Sequence, residues 1–229
     1  MNEKYQTLIF DLDDTLLNFK SAEKQALQAL FSDLKVKADS AALQAFSVYN
    51  QSLWKKLEKK EITRSQLFEQ RFQIFFKNYY QLEVSGLKCS QQYLSYLANG
   101  HEEIKGATQM LTQLKTENKQ LFLATNGVAF VQEQRLKDSN LVSFFDQIFV
   151  SEKVGCEKPD PRFFAYLFEH SNALPQKTAM VGDSLSSDIL GGSKAGIDTF
   201  WFNPTQTDNF TQVQPTYQIS ALDEILKYA

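Results

Sequence analysis

The apolar positions of the chain change their period twice. Leu8, Ile9 and Phe10 form a short continuous apolar run that ends in carboxylates, the pattern of a strand buried on both faces. Similar runs recur at residues 121–126 (LFLATN), 147–151 (QIFVS), 178–183 (TAMVGD) and 199–203 (TFWFN). Between them apolar residues follow helical spacing, over residues 107–116, 130–137, 161–170 and 187–195. Strands alternating with helices of this length predict an α/β fold, with right-handed crossovers and a parallel sheet covered on both faces. Ligands in such sheets bind beyond the carboxyl ends of the strands. Asp11, Thr125 and Asp183 stand at three such ends, so three distant segments are expected to converge on one site.

From residue 17 to about residue 100 the strand signals vanish. Leu27, Leu30, Phe31 and Leu34, then Leu43, Phe46, Leu53, Trp54 and Leu57, repeat at helical intervals. A third helix starts at a capping box, Thr63 with Gln66, and a hydrophobic staple, Ile62 with Leu67. Its stripe of Phe68, Phe72, Phe75, Phe76 and Tyr79 reads as bundle core, with one or two members available to line a cleft. A fourth helical segment spans residues 92–98. The expected organisation is therefore a core of residues 1–16 and 101–229 interrupted by a four-helix insertion at 17–100, which suits a chain of 229 residues.

Composition adds exclusions. Hydrophobic residues at 43% and charged residues at 22% are ordinary for a globular protein with a sizeable core. Cys89 and Cys156 form no CxxC or Cys/His cluster, so neither a disulfide framework nor a zinc site is expected. MNEKYQ leads straight into a strand without a signal region, and no stretch approaches the roughly 20 apolar residues of a membrane helix. A cytoplasmic location with no membrane partner is the expectation. Residues 17–100 carry 12 Lys/Arg against 7 Asp/Glu, and the rest carries 12 against 20. Such an insertion either favours an anionic substrate or merely solvates a helix face, and its excess is too small for nucleic acid. An exposed insertion surface and a dimer surface look alike in sequence, so no oligomeric state is read.

The chemistry concentrates in DLDDT. Asp11 and Asp13, one residue apart, would point the same way if the strand stayed regular. A cation relieves the repulsion between such neighbours, and oxygen ligands suit magnesium. Asp11 is then placed to attack phosphorus, and Asp13 to protonate the leaving oxygen and later activate water. GDSLSSD brings a second acidic cluster: Asp183 completes the metal site, while Asp188 orients ligands or favours the first turn of a helix capped by Ser186 or Ser187. Thr125 and Asn126 of ATNG and Lys158 of EKPDP supply donors for phosphoryl oxygens. His101 and His170 lie in no metal-ligand or triad spacing, and Trp54 and Trp201 read as core.

DLDDT, ATNG, the lysine of EKPDP and GDSLSSD, in this order across nearly the whole chain, resemble the haloacid dehalogenase (HAD) superfamily. The resemblance implies a Rossmann-like core, Asp11 as nucleophile, Asp13 as acid/base, and Thr125 and Lys158 holding the phosphoryl group. It implies Mg2+ bound by Asp11, the backbone carbonyl of Asp13 and Asp183, supported by Asp188. The insertion resembles the family's C1 cap, with residues 16–19 as its flexible lead-in. Dehalogenases of the superfamily lack the second carboxylate, so Asp13 points to a phosphatase. GVAFVQEQRL, KPDPRFF and GDSLSSDILGGSKAGIDTFWFN are similar to the pyrimidine 5'-nucleotidase branch, implying a nucleoside monophosphate as the small phosphorylated partner. Phosphatases of sugar phosphates or other small metabolites, a phosphomutase, a phosphonate hydrolase and a catalytically silent binding protein stand as alternatives.

Overall fold

The computed structural model describes residues 4–228. The chain divides into two compact units: residues up to Asn18 together with those from Glu102 onward, and Phe19–His101.

The first unit is built on a six-stranded parallel sheet, β1 (Thr7–Phe10), β2 (Gln120–Thr125), β3 (Gln147–Val150), β4 (Thr178–Gly182), β5 (Asp198–Phe202) and β6 (Tyr217–Ile219), in the order β3-β2-β1-β4-β5-β6. Period-2 alternation along β1 explains its unbroken apolar run. Leu8 and Phe10 enter one core with Met110, Leu111 and Leu114 of α5 (Ala107–Thr116) and Leu136 of α6 (Ala129–Asp138). Ile9 enters another with Phe163, Phe164 and Leu167 of α8 (Pro161–Glu169), which follows a short α7 (Ser151–Val154). Each fully buried side chain of this kind contributes roughly 1.5–3 kcal/mol. Phe10 pairs with Leu123 on one side and Val181 on the other, so Asp11, Thr125 and Asp183 leave the same edge of the sheet.

The expected α/β architecture is thus present, with three differences of detail. Strands β2 to β5 each stop before the polar residue expected to end them, because Asn126, Asp183 and Asn203 turn into loops and Ser151 opens α7. The edge strand β6 was not foreseen: three residues with an exposed glutamine in the middle carry no periodic signal. The helix expected at residues 187–195 starts earlier, as a turn of π-helix at Leu185–Ile189 that continues into α9 (Leu190–Lys194). Its cap is Ser184, whose hydroxyl accepts the Ser187 N–H, rather than Ser186 or Ser187.

The second unit holds α1 (Phe19–Asp33), α2 (Ser40–Glu58), α3 (Arg64–Tyr80) and α4 (Gly86–Leu97). Both bonds of the capping box form at the start of α3: the Gln66 N–H donates to the Thr63 hydroxyl at 3.2 Å, and the Thr63 N–H donates to Gln66 Oε1 at 2.8 Å. Ile62 packs into the cluster that contains Leu67. Phe72, Phe75 and Phe76 are buried, with Phe46 stacked on Phe72 at 4.7 Å and Phe31 against Phe76 at 5.1 Å, whereas Tyr79 is exposed. The fourth helix begins six residues before the expected residue 92, at Gly86, because Gly86 and Ser90 occupy buried positions and blur the apolar period. Among the described residues no helix is long and apolar enough to cross a membrane, and both cysteines are buried and outside any disulfide.

Candidate active site

After Phe10 the chain leaves the sheet in a tight turn. The Leu12 carbonyl accepts the N–H groups of Leu16 and Leu17, each at 2.9 Å, and Asp14 takes a left-handed φ of 56°. Leu12, Leu16 and Leu17 are fully buried, so the segment expected as a flexible lead-in is anchored through Leu17. The strand therefore does not stay regular through DLDDT, and Asp11 and Asp13 are held by different partners.

Asp11 is buried, and its carboxylate accepts from Lys158 Nζ at 2.8 Å. The same ammonium donates to Asp188 Oδ1 at 2.6 Å and to the Ala124 carbonyl, which fills its three donors. Asn126 positions this lysine from the backbone: its Nδ2 donates to the Lys158 carbonyl and its Oδ1 accepts the Lys158 N–H, both at 2.9 Å. Asp188 also accepts the Ser184 N–H at 3.1 Å. It packs so closely on Gly182 that a Cβ there would lie 2.2 Å from Asp188 Oδ2. Asp183 is fixed through its main chain, its N–H donating to Thr15 Oγ1 at 3.1 Å and its carbonyl accepting from Trp201 Nε1 at 2.8 Å.

Asp11, Asp183 and Asp188 each offer an oxygen, all within 4.8 Å of one another. Lys158 pairs with two of them, Asp11 and Asp188, so three carboxylates stand together around one lysine ammonium. Burial pushes the Asp11 carboxyl up to about 8 against the pull of Lys158, with Asp188 and Asp13 adding to the rise. Burial acts against the Lys158 ammonium as well, but Asp11 and Asp188 more than offset it and hold the lysine above its usual range. Burial leads the rise at Asp11, and the two neighbouring carboxylates lead it at Lys158. An all-oxygen donor set with surplus negative charge fits a hard divalent cation such as magnesium.

Asp13 lies apart from this cluster, its carboxylate bonded by Gln132 Nε2 at 2.7 Å and by Arg135. Thr125 Oγ1 accepts from the same Gln132 amide at 2.9 Å and from the Gly127 N–H at 3.1 Å. Sequence reasoning missed Gln132, Arg135, Thr15 and Trp201. The sign available for the first two was a glutamine and an arginine three apart on the same helix as the buried Val131 and Leu136. His101 is exposed and bonds the Asn99 carbonyl, and His170 stacks on Tyr166, so neither joins the site.

Fold and site together define an α/β protein with a carboxylate-rich centre at the carboxyl edge of its sheet. The chain belongs to the haloacid dehalogenase-like hydrolases, whose family model matches residues 8–202. It is similar to the pyrimidine 5'-nucleotidase PynA of Streptococcus pneumoniae, 40% identical over 97% of this chain and 94% of that one. It is also similar to the pyrimidine 5'-nucleotidase YjjG of Escherichia coli, 31% identical over 97% and 96%. The crystal structure of the HAD-hydrolase YfnB of Bacillus subtilis bound to magnesium superposes with a TM-score of 0.92 at 39% identity, covering 98% of both chains.

Proposed function

We propose that this hydrolase cleaves phosphomonoesters in two steps through an aspartyl-phosphate on Asp11, with pyrimidine nucleoside 5'-monophosphates as substrates. The observation that carries the reading is the buried Asp11–Lys158–Asp188 arrangement beside Asp183, with a second carboxylate, Asp13, held separately. One carboxylate in contact with a phosphate-binding lysine serves as nucleophile, and one outside that contact is left to move protons.

In the first step an Asp11 oxygen forms a bond to phosphorus while the ester oxygen departs, taking a proton from Asp13. In the second step Asp13 takes a proton from water, the resulting hydroxide bonds to phosphorus, and Asp11 and inorganic phosphate are released. The Thr125 hydroxyl donates to a phosphoryl oxygen, Lys158 does so by exchanging its bond to Asp11 for one to the phosphoryl group as Asp11 attacks, and Asn126 contributes by fixing Lys158. Asp11, the carbonyl of Asp13 and Asp183 would hold Mg2+, with Asp188 supporting them. Bound magnesium supplies positive charge between the carboxylates and the phosphoryl group. The helical segment 17–100, basic by 12 against 7, is assigned the selection of the group attached to phosphate. The nucleotide assignment is supported by the similarity to PynA and YjjG.

The test is phosphate release from uridine, cytidine and thymidine 5'-monophosphates, purine counterparts and sugar phosphates, with magnesium and with a chelator. Release from the pyrimidine nucleotides, lost on chelation and restored by magnesium, is the expected result. No release from any ester overturns the hydrolase reading, and preference for sugar phosphates overturns the nucleotide assignment.

A further inference from the structure

Helix α6 carries a buried polar pair that the reaction above leaves unused. Gln132 and Arg135 stand three residues apart and so share a face of the helix, and both are almost wholly inaccessible to solvent. Arg135 donates to Asp13 Oδ1 and, at 3.1 Å, to Gln132 Oε1. Arginine has no acceptor, so the glutamine oxygen must face it and the amide nitrogen must face away. That nitrogen donates to Asp13 Oδ2 at 2.7 Å and to Thr125 Oγ1 at 2.9 Å. Gly127 leaves room for it, since a Cβ there would lie 2.1 Å from Gln132 Nε2.

Two consequences follow from donor counting. Both oxygens of Asp13 are bonded by α6, yet its side chain stays 28% exposed, so it is held in one orientation while reachable from outside. A hydroxyl has two lone pairs and one proton. The lone pairs of Thr125 are taken by Gln132 and by the Gly127 N–H, so its own proton is left to donate elsewhere.

We propose that Gln132 and Arg135 are positioning residues: together they orient Asp13 for proton transfer and fix the Thr125 hydroxyl as a donor to the phosphoryl group. The proposal rests on the reading of Asp13 as acid/base and of Thr125 as a phosphate contact. Two rigidly bonded polar groups on one helix keep the proton donor and the phosphoryl donor in register, and small displacements of such groups cost about 10²-fold in rate.

The experiment compares R135K, Q132A, D13N and the double variant D13N/R135K, all checked for folding by circular dichroism and thermal melting. The substrates are phenyl phosphate and p-nitrophenyl phosphate, matched in shape but differing in how much the leaving oxygen needs a proton. R135K is expected to lower kcat/KM for phenyl phosphate about 10- to 100-fold, with a smaller loss for p-nitrophenyl phosphate, and to cost nothing further in the D13N background. Q132A is expected to add a rise in KM for both esters through Thr125. Equal losses on both esters, or losses in R135K and D13N that multiply, mean that Arg135 acts only on the fold and overturn the proposal. D13N with wild-type turnover overturns the role of Asp13 itself, a failure distinct from an impaired D13N beside an unaffected R135K.

Discussion

Each compact unit buries an arginine, and the two arginines are satisfied in opposite ways. In the sheet unit Arg135 meets a carboxylate and a side-chain amide, and those partners reach on to Thr125. In the helical unit the guanidinium of Arg71 lies 4.8 Å from the Tyr93 ring centroid and 5.1 Å from those of Phe68 and Phe72. Its Nε donates to the Ser90 hydroxyl at 3.1 Å. Burial pulls the Arg71 guanidinium down to about 10, against the upward pull of Tyr93 and nearby Glu23. Aromatic faces surround the Arg71 guanidinium, and no carboxylate bond to it is seen among the described residues, whereas Asp13 bonds Arg135 directly. On the proposed reaction, the difference separates charge buried as packing from charge buried beside the acid/base.

Substitution at each arginine's surroundings and at the carboxylate cluster separates the two units, the largest effect falling in the sheet unit. Lys158→Met removes the cation between Asp11 and Asp188 and leaves two carboxylates buried without it. Phosphate release is expected to fall by about 10³-fold or more, and thermal unfolding to report a loss of about 3–5 kcal/mol. Wild-type turnover in a folded Lys158→Met protein would remove the lysine from the site. Arg71→Met keeps the volume among Phe68, Phe72 and Tyr93 and deletes the charge. It is expected to shift stability by less than about 2 kcal/mol and to leave kcat for p-nitrophenyl phosphate within about twofold of wild type. A collapse of kcat there would erase the contrast between the two arginines.

How much of this was legible in the sequence depended on how local each cause was. Strands β1, β2, β4 and β5 were readable because both faces are buried, which writes continuous apolar runs such as Leu8 to Phe10; edge strand β3 keeps the apolar Ile148, Phe149 and Val150 in a row, whereas edge strand β6 has only Ile219 buried. That Asp11, Thr125 and Asp183 leave the sheet at one edge followed from the expected parallel sense of the strands alone. The partners of Asp13 did not follow, because the turn at Asp14 and the placement of α6 are tertiary outcomes. Asn126 shows the same limit: its residue type suggested a phosphate donor, yet its amide binds the Lys158 backbone, a pairing across a separation of 32 residues.

Covalent chemistry at Asp11 is trapped by acid quenching during turnover. The wild-type protein is mixed with magnesium and a cleavable phosphomonoester, quenched in acid and digested, and the peptide bearing Asp11 is weighed beside that of Asp11→Asn. A phosphorylated Asp11 peptide is expected in the wild type, none in the variant, and loss of phosphate release in the variant. Phosphate release by Asp11→Asn at the wild-type rate, or phosphorylation on a peptide that lacks residue 11, would contradict Asp11 as the nucleophile.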